Sequence, residues 1–154
     1  MRLTTFTDYS LRVLIYLGTH SKQRAAVGEI ALAYGISKNH LLKVIVFLAD
    51  EGYVVTARGK GGGVRLKLDP ERIRIGEVVR KSEAESVLVE CFSRGDSECR
   101  IERSCLLRGV FQKALQAFYA VLDTYTLADL VVNHTTLESL LRLGSTGNRA
   151  MQHS

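Results

Sequence analysis

Residues 27–68 decide the fold, and they read VGEIALAYGISKNHLLKVIVFLADEGYVVTARGKGGGVRLKL. Apolar residues recur at helical spacing over Val27–Tyr34, and this helix is predicted to stop at Gly35. Ser37 is a favourable N-cap for a second helix, which is expected to end at the Asp-Glu-Gly sequence of residues 50–52. Two helices joined by a tight turn that contains glycine are typical of a helix-turn-helix.

The hydrophobic period changes from helical to extended after this pair of helices. Residues 53–58, YVVTAR, are rich in β-branched side chains, and residues 64–68, VRLKL, alternate apolar and basic side chains. The sequence GKGGG at residues 59–63 predicts a hairpin tip with positive ends. A helix-turn-helix followed by a basic hairpin predicts a winged helix, and therefore a mainly α fold with a small β-hairpin wing.

Helical patterns flank this region on both sides. The first predicted helix spans about Asp8–Thr19, and a short helix is expected over Ile75–Ser82. The longest pattern spans about Cys105–Asn133, and a short helix is expected over Thr135–Leu143. Residues 144–154 are expected to form a frayed tail.

The long helical pattern carries an apolar seam whose spacing alternates between four and three, as in a helix that packs along another helix. The seam consists of Leu107, Phe111, Ala114, Phe118, Val121, Tyr125, Ala128 and Val132. A second apolar row at Val110, Ala117 and Leu122 gives the helix two faces to bury. Packing on its own domain is the simpler interpretation, but a small winged helix can hardly cover both faces, so we predict a dimerisation helix.

The expected division is a winged helix-turn-helix region at 1–83, a loop at 84–104, the dimerisation and C-terminal helices at 105–143, and a flexible tail at 144–154.

Basic charge is concentrated in the N-terminal half of the chain. The 154 residues have a formal net charge of +5, and residues 1–80 contain 13 Lys and Arg against 7 Asp and Glu. Residues 81–154 contain 8 against 9, so the predicted winged helix is the part suited to a polyanion such as DNA.

No apolar run approaches the length of a membrane span, and no secretory signal is recognised, which indicates a cytoplasmic protein in a reducing compartment.

In a helix-turn-helix, the N-terminal residues of the second helix lie nearest the base edges of the major groove. The candidates for DNA contact on this helix are Ser37, Lys38, Asn39, His40 and Lys43. Asn39 suits a bidentate contact to adenine and the lysines suit phosphate or guanine, although each residue is equally compatible with capping or with a solvated surface. The wing adds residues suited to phosphate or minor-groove contacts: Arg58, Lys60, Gly61, Gly62 and Arg65.

The three cysteines, Cys91, Cys99 and Cys105, follow the spacing C-x7-C-x5-C in a polar segment. They are one too many for a disulfide and one too few for a metal site closed by four thiolates. A zinc site lacks a fourth ligand at finger spacing, a thiol switch leaves one cysteine unexplained, and an iron–sulfur cluster accepts a substitute for one thiolate. The spacing favours a cluster only slightly over zinc. Cys105 is expected to begin the long helix with Ser104 as N-cap, where the positive helix end favours an anionic centre.

Two enzymatic interpretations of the sequence fail. The glycine-rich sequence lacks the GK[ST] ending of a nucleotide-binding loop, and it precedes a strand rather than a helix. A cysteine nucleophile needs a histidine partner, and none of the four histidines lies in a recognisable catalytic context. We therefore expect that the chain is not an enzyme.

Several motifs occur together over residues 1–135: Leu3-Thr4-x-x-Thr7-Asp8-Tyr9, Ile36-Ser37, Arg58-Gly-Lys-Gly-Gly-Gly, Ile75-Gly-Glu-Val and the three cysteines. This combination resembles the superfamily of winged-helix iron–sulfur regulators that includes IscR, RirA and NsrR. IscR-like members have a histidine ligand three residues after the last cysteine, and Arg108 at that position argues against an IscR-type [2Fe–2S] site. The pattern is most similar to the NsrR type, so the resemblance implies a [4Fe–4S] cluster that responds to nitric oxide, with a [2Fe–2S] cluster as the alternative.

The resemblance further implies a homodimeric repressor that binds a palindromic operator while its cluster is intact and releases DNA when nitric oxide reacts with the cluster. Asp8 is the candidate for the ligand that completes the three cysteines, although it is also placed to cap the first helix. If the long helices cross in a dimer, either the same chain or the partner chain can supply that ligand. The alternatives are an iron-responsive or redox-responsive regulator of the same superfamily, a zinc or thiol-switch winged helix, and an electron carrier or cluster-transfer protein.

Overall fold

The structure, a computed structural model, describes residues 2–20, 23–59, 61–84, 86–89, 92, 99–101 and 104–150, and residues 143–150 by their backbone alone. Its helices are α1 (Thr5–Thr19), α2 (Val27–Tyr34), α3 (Lys38–Asp50), α4 (Ile75–Ser82), α5 (Leu106–Leu122), α6 (Leu127–Leu130) and α7 (His134–Ala150). Strands β1 (Val54–Ala57) and β2 (Gly63–Leu66) form an antiparallel hairpin. The prediction of a mainly α fold with a β-hairpin wing is confirmed.

One hydrophobic core joins the first four helices to the hairpin. Each element turns an apolar side toward it: Val13, Leu14 and Leu17 of α1, Ile30 of α2, Leu41, Val44, Ile45 and Leu48 of α3, Val54, Val64 and Leu66 of the hairpin, and Val78 and Val79 of α4. Burial of one such aliphatic side chain contributes about 1.5–3 kcal/mol to folding. The core therefore holds α3 and the hairpin in one relative position.

The turn between α2 and α3 depends on a glycine. Gly35 ends α2 in the left-handed conformation, with a φ of 64°, which a residue without Cβ adopts at low cost. The N–H of the next residue, Ile36, donates to Ala31 O at 3.0 Å, and the Ile36 side chain is buried. Ser37 is the N-cap of α3 as predicted. Its side chain makes no capping hydrogen bond and is exposed.

The hairpin is attached to the start of α2. Val64 of β2 exchanges two backbone hydrogen bonds of 2.9 Å with Ala25. Along β2, Val64 and Leu66 are buried while Arg65 is exposed, which confirms the predicted alternation. Gly63 has a φ of 143°, and a Cβ at this position would lie 2.6 Å from Ala25 O. Only glycine therefore fits where the wing lies against α2.

The single long helix predicted over Cys105–Asn133 is wrong. The helix that begins there, α5, ends at Leu122. A separate helix, α6, follows its N-cap Thr126. Thr126 and Asp129 form a capping box, in which the Asp129 carboxylate accepts from the Thr126 N–H at 2.7 Å.

The chain leaves the helix after α5 because its backbone pairs with the segment that precedes α4. Tyr125 O accepts from the Ile75 N–H at 3.0 Å, and the Leu127 N–H donates to Ile73 O at 2.8 Å. Leu127 and Ile73 are both fully buried. These long-range contacts stabilise the break between α5 and α6. The spacing of apolar residues in the sequence does not predict them.

The last helix is longer than predicted. A helix over Thr135–Leu143 and a frayed tail from Gly144 were expected, but α7 continues to Ala150. It packs against α1 and α2, with Leu141 buried. A glycine costs a helix only about 1 kcal/mol relative to alanine, and no proline follows Pro70, so nothing in the sequence forces the helix to stop at Gly144. Residues 151–154 lie outside the described residues.

Candidate nucleic-acid interface and metal centre

The exposed side of α3 is the candidate surface for reading DNA. With about 100° of rotation per residue, Asn39, Leu42, Lys43 and Val46 lie on the side of α3 opposite its buried residues. All four side chains are exposed. These four residues are termed the outward face. Two of the predicted contacts, Asn39 and Lys43, belong to it.

The other predicted contacts on α3 lie at its N-terminal end. Ser37, Lys38 and His40 are exposed, so the start of the helix is open to a partner. The ring of His40 lies beside the ring of Tyr9 on α1, with 6.3 Å between centroids. His40 therefore lies on the flank of α3 nearest α1, beside the outward face rather than on it.

The wing presents two described arginines around its glycine tip. Arg58 and Arg65 are both exposed, whereas Lys60 lies outside the described residues. Gly61 has a φ of 79°, and the Gly62 N–H donates to Gly59 O at 2.9 Å. A Cβ at Gly62 would lie 2.6 Å from Ala57 O. The glycines thus allow a tight tip whose backbone can approach a phosphate closely.

Two of the three cysteines line one cavity at the start of α5. Cys99 is exposed and Cys105 is half-buried, and both border a cavity of about 220 Å³. Its other lining residues are Val89, Ile101, Leu107, Arg108 and Phe111. Cys91 lies outside the described residues. The structure therefore brings together the two predicted cysteine ligands that it describes.

Cys105 occupies the N-cap of α5, where Ser104 was expected, so the position of the predicted cap is corrected by one residue. Ser104 belongs to the preceding turn, and its N–H donates to Ile101 O at 3.0 Å. The side chain of Cys105 makes no capping hydrogen bond, and the residue lies at the positive end of the α5 macrodipole. The positive end of a helix is also a favourable place for an anionic centre such as a thiolate-ligated iron–sulfur cluster.

The donor set fits an iron–sulfur cluster as far as it is described. Two sulfur donors border one largely apolar cavity at a positive helix end, and Arg108 lies on the same wall. Within the described ranges, no group of three or more His, Cys, Asp or Glu residues is placed to hold a metal ion. The third thiolate has to come from Cys91, and one further ligand is needed for a cubane cluster.

Asp8 does not cap the first helix. The N-cap of α1 is Thr4, whose Oγ1 accepts from the Thr7 N–H at 3.2 Å, and the helix begins three residues before Asp8. The half-exposed Asp8 carboxylate lies 3.0 Å from the guanidinium of Arg12, one turn further along α1. The capping alternative and the predicted start of α1 at Asp8 are therefore both wrong.

The apolar seam of α5 is open in the single chain. Leu107 and Val121 are 55% and 60% exposed, and Val110 of the second row is 59% exposed. Phe118 is half-buried and packs against the core, so one part of the seam serves the chain's own domain. The break after Leu122 separates the rest of the predicted seam from this helix. An aliphatic surface of this extent along one helix is suited to a partner helix.

Helix α4 connects the far ends of α3 and α5, a feature that sequence analysis missed. Arg80 forms an ion pair with Asp123, the C-cap of α5. Lys81 Nζ lies 2.9 Å from Glu51 Oε2, at the C-cap of α3, and 2.8 Å from Glu77 Oε1. Of these pairs, only Glu77–Lys81 could be predicted from the sequence, because the two residues are one helical turn apart.

Ion pairing shifts the pKa values of Glu77, Lys81 and Asp123. The hydrogen bond from Lys81 lowers the pKa of Glu77, and the hydrogen bonds to Glu77 and Glu51 raise the pKa of Lys81. The hydrogen bond from Arg80 lowers the pKa of Asp123. Each of these shifts favours the charged form, and an ion pair lies at each end of the connection through α4.

The geometry defines a class of protein, a winged-helix DNA-binding regulator. Residues 3–133 match the Rrf2 family, described as an iron-dependent transcriptional regulator, and the chain belongs to this family. It is 51% identical to the HTH-type transcriptional regulator NsrR of Bacillus subtilis (strain 168), over 93% of this chain and 99% of that protein. It is 49% identical to the NsrR of Bacillus licheniformis, over 92% and 99%.

The fold is shared with solved structures. IscR of T. potens superposes with a TM-score of 0.68 over 86% of this chain and 88% of that one, at 24% identity. The family match and the identities with the two NsrR proteins confirm the resemblance to NsrR-type regulators. Membership of a family of transcriptional regulators also confirms that the chain is not an enzyme. Among the described residues, no helix combines the length and the apolar character needed to cross a membrane.

Proposed function

We propose that this protein is a cytoplasmic, homodimeric repressor whose binding to a palindromic operator is controlled by a [4Fe–4S] cluster that reacts with nitric oxide. The observation that carries this proposal is the position of Cys99 and Cys105 in one cavity at the N-terminal end of α5. The similarity to proteins named NsrR supports the same function.

Cys91, Cys99 and Cys105 are the proposed thiolate ligands, and Asp8 is the proposed fourth ligand. Within the described part of one chain, Asp8 does not join Cys99 and Cys105 in a group that could hold a metal ion. We therefore assign the fourth position to Asp8 of the partner subunit. The open aliphatic seam of α5 supports a dimer in which such a contact forms.

The bound cluster supplies iron that is reactive toward nitric oxide. The protein's own residues then connect the site to DNA. Cys105 holds the start of α5, Arg80 holds its end, and Lys81 holds the end of α3. Because these contacts are consecutive, a displacement of α5 reaches the helix that carries the outward face. The dimer places two such helices on the two half-sites of an operator.

The test is an anaerobic titration of the holo-protein with nitric oxide, with visible absorbance and DNA binding followed in the same samples. Iron and sulfide contents of the starting protein distinguish a [4Fe–4S] from a [2Fe–2S] cluster and from zinc. We expect absorbance and operator binding to fall together. Equal operator affinity of the holo-protein and the clusterless protein at matched salt would contradict the proposal, because salt alone changes such affinities strongly.

A second candidate function is an iron-responsive regulator with the same ligands. The description of the family as iron-dependent favours it. In that case, a chelator releases the protein from DNA without nitric oxide, and the cluster serves as a measure of iron supply. Parallel titrations with nitric oxide and with a chelator, each followed by DNA binding, separate the two functions.

A further inference from the structure

The outward face of α3 contains two apolar residues that neither the core nor the predicted DNA contacts account for. Leu42 is 43% exposed and Val46 is 59% exposed, and they lie one helical turn apart. Single exposed hydrophobic residues are ordinary on protein surfaces. Here, however, the two share the outward face with Asn39 and Lys43, on the helix that a helix-turn-helix presents to DNA.

We propose that Leu42 is a specificity residue that packs against the C5-methyl group of a thymine in the major groove. The inference rests on the proposed function only in requiring that α3 enters the groove. The thymine methyl is an apolar group on the floor of the major groove, and aliphatic side chains recognise it by contact. Such a contact removes the side chain and the methyl group from water together.

The position of Leu42 on α3 favours it over Val46. The N-terminal part of a recognition helix lies closest to the base edges, and Leu42 is one turn nearer that end. Its side chain is also one carbon longer than that of valine. Asn39, one turn before Leu42 on the same face, is suited to adenine. Together the two residues predict an element of A·T base pairs in each half-site.

The surroundings of Leu42 favour DNA over a protein as the occupant of this surface. Lys38, Lys43 and Arg58 are exposed on α3 and the wing, and residues 1–80 carry the basic excess of the chain. Two aliphatic side chains cover far less than the roughly 800 Å² that each partner buries in a stable protein interface. They are sufficient, by contrast, to cover one or two methyl groups.

Thymine-to-uracil substitution tests this contact, because it removes the methyl group and keeps every hydrogen-bonding group of the base pair. The probe is the duplex that the wild-type holo-protein selects from random-sequence DNA, with each thymine of one half-site replaced in turn. At one position, we expect uracil to weaken wild-type binding about fourfold, the effect of removing one buried methyl group from water. For Leu42→Ala, the same uracil should change affinity by less than about 1.5-fold.

Val46→Ala is the matched control, since it shortens an exposed aliphatic side chain on the same face. It should retain the fourfold uracil effect, and circular dichroism should show both variants folded. The assignment is overturned if every uracil effect persists in Leu42→Ala, or if Val46→Ala alone abolishes the effect. If the wild-type protein selects no sequence at all, the proposed operator binding fails instead, and this outcome is visible before any uracil is introduced.

Discussion

Arg80 of α4 donates from Nη1 to Oδ1 of Asp123 at 2.9 Å, and Asp123 is the C-cap of α5. The same guanidinium lies over the ring of Tyr119, 4.6 Å from its centroid, and Arg74 donates to Asp123 O at 2.9 Å. Gly76 leaves the space for this contact, because a Cβ there would lie 2.0 Å from Asp123 Oδ1. The C-terminal end of α5 is therefore held closely against α4.

Removal of the Arg80–Asp123 pair should weaken communication between the cysteines and DNA. In Arg80→Ala and in Asp123→Ala, we expect the ratio of holo to clusterless operator affinity to fall about fivefold, a typical size for one coupling contact. The double variant should show no further loss, because both single changes remove the same interaction. The measurement is a binding titration of all four proteins at one salt concentration. An unchanged ratio in both single variants would show that α5 acts on DNA binding by another route.

Lys81→Met should destabilise the protein in a pH-dependent way. The pKa of Glu77 is lowered in the folded state, so its contribution is complete above its unfolded value of about 4.3 and is lost as the pH falls through the folded value. The pKa of Lys81 is raised, so its contribution is complete below about pH 10 and is lost at more alkaline pH.

At pH 7, we expect Lys81→Met to lower the free energy of unfolding by about 0.5–1 kcal/mol, since the side chain is partly exposed. The difference from wild type should be smaller at pH 3, because Glu77 becomes protonated as the pH falls through its folded pKa. Urea unfolding at the two pH values measures it. Lys67→Met, a change at an exposed lysine beyond β2, is the control and should behave as wild type. An equal loss at both pH values would assign the effect of Lys81 to packing.

Gly63→Ala should detach the wing from α2. Its Cβ would lie 2.6 Å from Ala25 O at a φ of 143°, so the two hydrogen bonds between Val64 and Ala25 have to break or distort. We expect a loss of about 1–3 kcal/mol in the free energy of unfolding. Gly28→Ala, in α2, meets nothing within 4 Å and should gain up to about 1 kcal/mol. Thermal or urea unfolding distinguishes the two, and a neutral Gly63→Ala would mean that the wing lies against α2 differently.

Asp8→Ala tests the fourth ligand. Alanine at any of the three cysteines should abolish the cluster, whereas Asp8→Ala should retain it with a faster loss of absorbance under nitric oxide, on the order of tenfold. Its fold should persist, because the carboxylate pairs with Arg12 on the surface of α1. Asp69→Ala, an exposed aspartate away from the cysteines in sequence, serves as the control. Unchanged absorbance and nitric oxide response in Asp8→Ala would remove Asp8 from the ligand set.

The candidate site was partly predictable from local sequence. The N-terminal residues of α3 and the arginines of the wing are exposed where the pattern placed them, and the start of α5 coincides with Cys105. The sequence does not distinguish Leu42 from the neighbouring core residue Leu41, because hydrophobic character alone does not show which way a side chain faces. Only the packing of α3 on the core shows that Leu42 faces outward.

By itself, the sequence determined the winged helix, because its signals are local. Helical period, the left-handed turn at Gly35 and the alternation along residues 64–68 each depend on neighbouring residues alone. The tertiary structure decided where α5 ends and which helices α4 connects. Arg80 and Asp123 are 43 positions apart, and the backbone pairing of Tyr125 with Ile75 spans a similar distance in the chain. Such contacts form only when the core brings distant segments together, and no periodicity within either segment specifies them.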